Sequence, residues 1–391
     1  EAVEKNDEYD LINPRTGEKV RSLSAKLVFD LIVNMAWRTG DPGLIFIDEI
    51  NRHNPTPEIG MIESTNPCGE QPLLPYESCN LGSINLTKVI ENDEINWEKL
   101  RGLVRNAVHF LDNVIDANRF PLPEIEYMTK RNRKIGLGVM GWAEALIRLN
   151  IPYDSEEALK MAEKVMGFIT EEARKKSVEL GLERGSFPNF EKSVWTKRGF
   201  KALRNATVTT IAPTGTISII ADVTSGIEPL FAISYVRNVL GGAKLLEINH
   251  LFEEVAKKRG FYSKELMLEI AKKGSIKNIS GIPEDVKRVF VTALDISPEW
   301  HVRMQAAFQK HTDNAVAKTV NLPAEATPED VRKVFILAWK LKCKGITVYR
   351  YGSKKEQVLT ITPPEMALLE EEPVTVDSEY AGGCPVLTCL H

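Results

Sequence analysis

The chain has 391 residues, 43% hydrophobic and 27% charged, an ordinary globular composition with enough apolar material for a large core. A formal net charge of −4 excludes a general pull toward nucleic acid or anionic membrane, so any phosphate-bearing ligand needs a local site. No apolar run approaches the roughly 18 residues of a membrane span and no signal peptide opens the chain, which points to the cytoplasm, while five unevenly spaced cysteines do not make a disulfide scaffold.

In chain order, residues 24–38 (SAKLVFDLIVNMAWR) have helical spacing and TGDPG at 39–43 ends that helix with turn residues. LIFID at 44–48 is a candidate strand. Helical patterns are expected at about 97–117, 123–131, 136–149, 155–181, 245–259, 263–273 and 328–342. The best strand candidates are 206–211 (ATVTTI), 230–235 (LFAISY), 315–321 (AVAKTVN) and 345–349 (GITVY). Their alternation with helices argues for α/β layering, with strands buried on both faces. Beyond about residue 356 the texture becomes Pro-, Glu- and Gly-rich without a period, which reads as a flexible acidic linker ending in the pair Cys384 and Cys389. The chain opens at Glu1 without a methionine and stops at His391, so both ends read as cuts.

NPCGEQPLLPYESCNLG at 66–82 concentrates chemistry. If the segment is extended, Asn66, Cys68 and Glu70 face one side, because residues two apart share a face. Pro67 disfavours a helix at Asn66, Gly69 permits close approach of a ligand, and Pro72 and Pro75 turn the chain so that Cys79 returns near the tip. The set offers an amide, a base and thiols able to act as nucleophile, redox group or hydrogen-atom donor. The alternative is two buried cysteines in a turn. A zinc site is disfavoured, since C-x10-C lacks the short knuckle spacing and no histidine is near.

This segment resembles the finger loop of ribonucleotide reductases, in the form of the adenosylcobalamin-dependent (class II) enzymes. The resemblance continues through WRTGDPGLIFIDEINRHNP (37–55), RKIGLGVMGWAEAL (133–146), ATVTTIAPTGTISIIADVTSGIEPLF (206–231), HTDNAVAKTVNLP (311–323) and CKGITVYRYGS (343–353). It implies that Cys68 carries a transient thiyl radical that removes the 3′ hydrogen of a ribonucleotide. Glu70 takes the 3′-hydroxyl proton, Asn66 holds that hydroxyl, and Cys79 is one of two thiols that protonate the departing 2′ hydroxyl and end as a disulfide. In the family the second thiol comes from the first barrel strand. Cys343 is expected in the core, which places that partner in sequence before Glu1.

ATVTTI running into APTGTIS is a strand followed by a turn of small and hydroxyl residues, able to cradle an anion without net charge. The family uses this loop for substrate phosphates, which implies that role for Pro213, Thr214, Gly215, Thr216, Ile217 and Ser218. GLGVMG (136–141) formally fits a dinucleotide fingerprint, but KRNRK precedes it rather than a strand, so a glycine-bearing helix in close packing is expected. Asp48 and Glu49 are read as a solvated turn or a structural ion pair, and no histidines are paired at i, i+4, so no protein-held metal is expected.

Iron-dependent (class I) large subunits also resemble this chain, but they relay the radical through two adjacent tyrosines, whereas here Arg350 separates Tyr349 from Tyr351. That favours adenosylcobalamin as cofactor. No glycyl-radical motif of the class III kind is visible. Cys384 and Cys389 resemble the tail shuttle that re-reduces the site, although the spacing is C-x4-C where the family has C-x-x-C, and Ala317 stands where relatives carry serine. The implied fold is a ten-stranded α/β barrel of two five-stranded halves. Residues 1–356 supply the central loop and second half, and 357–391 the linker. Implied partners are a ribonucleoside di- or triphosphate, a thioredoxin-like dithiol reductant, the N-terminal part of the enzyme and, in the complete enzyme, a second copy. The competing readings are a class I large subunit and an inactive nucleotide-binding fragment.

Overall fold

A computed structural model describes residues 1–239, 243–354 and 359–360, with side chains at 235–247 and 359–360 left aside. Cys384, Cys389 and nearly all of the expected linker lie outside the described residues. In chain order, the elements that position the site begin with helix α1 (Ala25–Thr39), strand β1 (Leu44–Ile45), strand β2 (Leu81–Asn85) and helix α2 (Trp97–Ala117). Strand β3 (Gly136–Met140), helix α3 (Glu156–Arg184) and helix α4 (Pro298–Gln309) follow. Strand β4 (Thr319–Leu322), helix α5 (Pro328–Lys340) and strand β5 (Gly345–Arg350) complete the set.

These strands form one curved wall. β2 and β3 pair in parallel from Leu81 opposite Gly136 to Asn85 opposite Met140. The segment 207–211 joins β3 through the parallel bridge Leu137–Thr209, and Ile211 bridges in parallel to Val316, just ahead of β4. β4 pairs in parallel with β5, and β1 closes the row antiparallel to β5, Ile45 opposite Gly345. The row is therefore five parallel segments and one antiparallel strand, as the α/β expectation required.

Helices cover the wall in sequence: α2 packs on α3, α3 on α4, α4 on α5 and α5 on α1. Local chemistry explains them. Asn96 and Ser155 cap α2 and α3 by accepting backbone N–H groups from Lys99 and Ala158, and Thr327 with Asp330 forms a capping box on α5. In α2 the stripe Leu100, Val104, Val108, Leu111, Ile115 is buried against the wall, each such side chain contributing about 1.5–3 kcal/mol.

Several expectations are corrected. Residues 136–140 form a strand rather than the start of a helix, which begins at Trp142. All five are buried, and a short apolar run covered on both faces has the composition of either element. The glycines have a spatial cause: a Cβ on Gly138 would lie 2.2 Å from the Thr210 carbonyl oxygen, and one on Gly136 2.5 Å from Gln71 Nε2. The expected helix 245–259 is a strand, Ala243–Ile248, followed by a helix from His250. LIFID supplies two strand residues before the helix Ile47–Arg52, and in LFAISY only Leu230, in an isolated bridge to Thr292, and the strand from Ser234 are paired. β2 and α4 were not anticipated. Cys343 is fully buried in a core with Val320, Phe335 and Ile346, as expected.

Candidate active site

Residues 66–71 form the tip of a short hairpin, Ser64–Thr65 against Pro72–Leu73. The tip is a turn, not the extended segment expected. Gly69 N–H donates to the Asn66 carbonyl (3.0 Å) and Gly69 has φ +83°, a left-handed conformation that favours glycine. Asn66 closes the loop: its N–H donates to the Gln71 carbonyl (3.1 Å) and its Oδ1 accepts from Gln71 N–H (2.9 Å). The turn, rather than strand alternation, brings the Asn66 amide to the Glu70 carboxyl.

The tip is pinned inside the wall. The Glu70 carbonyl accepts from Thr210 Oγ1 (2.8 Å) and Ala315 N–H (2.9 Å), one group from each of two neighbouring wall segments. The Glu70 side chain is buried, and its Oε2 has no hydrogen-bond partner. Burial raises its pKa, and the Asn66 hydrogen bond offsets part of that. Cys68 is half-buried and lines a cavity of about 160 Å³ with Gly69, Ala317, Lys318, Gly43 and Gly345. That is below the roughly 300 Å³ of pockets that enclose whole small-molecule ligands, so the cavity as this chain forms it encloses at most part of such a ligand.

Cys79, beyond the tip on the return arm, is exposed as a residue. Burial, and then the charges of Glu70 and Cys68, push its thiol up to about 11. The three groups are thus near enough to act on one another. The return arm is fixed by an ion pair missed in sequence: Lys134 Nζ donates to Glu77 Oε2 at 2.6 Å, with both side chains at most 3% exposed. Glu77 also accepts from Leu74 N–H and Asn132 Nδ2. A carboxylate two residues before Cys79 was visible, but nothing local identified Lys134 as its partner.

A second buried network braces the cavity floor. Lys318 Nζ donates to Glu228 Oε2 (2.7 Å) and meets His301 Nδ1 (3.1 Å), while His301 Nε2 faces the Ala293 carbonyl (2.9 Å). Glu228 Oε1 accepts from Thr319 N–H. Burial, with the Lys318 ammonium beside it, holds His301 well below its usual range, so the ring accepts through Nδ1.

The 213–218 turn follows segment 207–211 and is not part of the lining of the Cys68 cavity. Thr214, at φ 57°, accepts from Gly226 N–H, and Ser218 Oγ is held between the Gly215 carbonyl and Ser225. Those two buried hydroxyls serve the loop itself. Pro213, Gly215 and exposed Thr216 and Ile217 complete the turn, the helix Gly215–Ile220 starting within it. Glu49 is an ion pair with Arg52, as one of the readings of 48–52 held. Arg350 donates to the carbonyls of Trp37 and Ala324, between Tyr349 and Tyr351.

A parallel wall with a thiol-bearing hairpin pinned to it and a buried carboxyl at the hairpin tip is the arrangement this chain presents. The family model "Ribonucleotide reductase, barrel domain" matches residues 1–203 and 197–349, and the chain belongs to that family. It is 52% identical to the vitamin B12-dependent ribonucleoside-diphosphate reductase of Thermoplasma acidophilum, the match covering 98% of this chain and 52% of that protein. The protein of the same name from Mycobacterium tuberculosis is 51% identical, with 99% and 54% covered. The class Id ribonucleotide reductase alpha subunit of Actinobacillus ureae shares the fold, with a TM-score of 0.72 at 24% identity over 84% of this chain and 61% of that one. The chain spans about half the length of the curated relatives it matches. Among the described residues no helix is long and apolar enough to cross a membrane.

Proposed function

We propose that this chain is the loop-bearing half of a barrel that reduces ribonucleotides to 2′-deoxyribonucleotides by thiyl-radical chemistry, with adenosylcobalamin as radical source. The observation that carries it is the buried, unpartnered Glu70 Oε2 at the tip that also holds Cys68. An orphaned acceptor in a dry site is costly unless a ligand hydroxyl meets it.

Cys68 abstracts the 3′ hydrogen, forming S–H and a carbon radical. Glu70, whose pKa burial raises, takes the 3′-hydroxyl proton, and Asn66 orients that hydroxyl. Cys79, kept as a thiol by burial and two neighbouring charges, delivers a proton to the 2′ hydroxyl, which leaves as water. Cys79 and a second thiol supply the two electrons and end as a disulfide, the second thiol's hydrogen going to C2′, while Glu70 returns its proton to the 3′ oxygen. Cys343 is unsuited to be that thiol, being sealed in another core. Cys68 returns its hydrogen to C3′. The 213–218 turn holds the phosphates, with Thr216 and Ile217 exposed at its surface. Cys384 and Cys389 re-reduce the disulfide, receiving electrons from a thioredoxin-like dithiol.

The cofactor fits what is present. Around Cys68 the rim is small, with Gly43, Gly345 and Ala317, and a Cβ on Gly69 would meet nothing within 4 Å. When bound, adenosylcobalamin supplies a carbon-centred radical through homolysis of its cobalt–carbon bond. The relatives' names favour diphosphate substrates and vitamin B12 over the iron-dependent alternative. The test is anaerobic incubation with adenosylcobalamin, dithiothreitol and CDP, the chain being completed with the remaining half of a relative. Deoxycytidine diphosphate should form and vanish with Cys68→Ser. Product formation that survives Cys68→Ser would refute the assignment.

A further inference from the structure

At the other end of the same wall lies a larger concavity of about 580 Å³, within the range of about 300–1,000 Å³ typical of small-molecule sites. Thr207 and Asp313 line it. They stand at or ahead of the starts of the segments 207–211 and 315–322, whereas the 213–218 turn follows the end of the first. The cleft is therefore distinct from the Cys68 cavity. Its charged lining is mostly cationic, with Arg174, Lys175, Arg198 and Lys310 against Glu171 and Asp313.

Two cations have capacity left. The Arg174 guanidinium is 13% exposed, sits 4.1 Å from the Trp195 ring centre and donates through Nη2 to Asp313, but its Nη1 is buried with no hydrogen-bond partner. A desolvated guanidinium N–H without an acceptor is unfavourable, and an anion entering the cleft would satisfy it. Arg198 is exposed, lies 4.9 Å from the same ring centre, and has no carboxylate at ion-pairing distance among the described residues. Lys175 and Lys310 are already neutralised by Glu171 and Glu163. His53, on the rim, has its imidazole held down to about 4, by burial first and then by Lys344, Arg52 and Arg198.

We propose that this cleft binds a phosphorylated small molecule, its phosphate held between Arg174 Nη1 and Arg198 beside Trp195. The site stands apart from the reductase chemistry and needs no turnover to be observed.

The test is quenching of Trp195 fluorescence by inorganic pyrophosphate and, separately, by ATP, the signal being assigned by its loss in Trp195→Phe. Both should bind. Arg198→Ala, at an exposed position, should weaken binding ~10-fold, the size of one charge-assisted contact, and Arg198→Lys should recover part of it. Tighter binding of ATP assigns a nucleotide, and equal affinities assign free phosphate or pyrophosphate. No Trp195 response to either probe at millimolar concentration, or equal affinity in Arg198→Ala and the parent chain, overturns the proposal.

Discussion

Glu77→Ala tests how the hairpin is held. The substitution leaves the Lys134 ammonium, 3% exposed, without its carboxylate, and frees Leu74 N–H and Asn132 Nδ2 at the same time. Breaking a buried pair by deleting one partner costs about 3–5 kcal/mol, chiefly because the remaining charge stays desolvated. At 1.4 kcal/mol per decade that lowers the folding constant by roughly two to four orders of magnitude if unfolding is global. The strain can instead be released locally, since the pair ties only the return arm to the residue two places before β3. Urea unfolding measures the first outcome, and the rate of Cys79 modification by a disulfide reagent the second, with fully buried Cys343 as internal reference. The expected result is a loss of at least about 3 kcal/mol, or a rise of at least tenfold in Cys79 labelling with Cys343 unchanged. Glu77→Leu combined with Lys134→Met should recover most of the loss, because no charge is then left buried. A single-variant loss below about 1 kcal/mol with unchanged labelling, or a double variant no better than the single, would refute the reasoning.

Three further outcomes are expected. Glu70→Gln removes a charge that raises the Cys79 pKa, so the pKa should fall below about 11 in a thiol titration; the acid limb of activity, displaced upward by the raised Glu70 pKa, should vanish with it. Gly138→Ala should abolish soluble expression or cost several kcal/mol, since its Cβ meets a carbonyl oxygen at 2.2 Å, whereas Gly82→Ala, whose Cβ meets Leu111 Cδ1 at 3.4 Å, should be tolerated in the same expression and melting assays. Lys344 is pushed down to about 8 by burial, so the folded state binds fewer protons than the unfolded between about 8 and the ordinary lysine range; stability should rise with pH across that window, by roughly 3 kcal/mol in all, and Lys344→Met should flatten the rise whatever its offset. Equal slopes in parent and variant would contradict the depressed lysine.

What the sequence made legible was what residues decide within a few positions. The helices expected at 97–117, 155–181 and 328–342 rest on spacing and end residues that act locally, so they could be read, and the resemblance supplied the roles proposed for Cys68, Glu70 and Asn66. What escaped was set by distant partners. Gly136 and Gly138 suggested a helix because their cause, Gln71 and Thr210 pressed against β3, lies about seventy residues away in each direction along the chain. The same holds for Lys134 with Glu77 and for Lys318 with Glu228, whose partners are 57 and 90 residues distant. The hairpin shows why the two kinds of information meet at the site. Its own sequence makes a turn, but a turn alone would let Glu70 swing into water and ionise at the usual pH. It is the Thr210 hydroxyl and the Ala315 amide on the Glu70 carbonyl, contributed by wall segments far along the chain, that hold the carboxyl inward with one oxygen unmet. Local composition therefore supplies the reactive groups, and long-range packing sets the buried environment that raises the carboxyl's pKa.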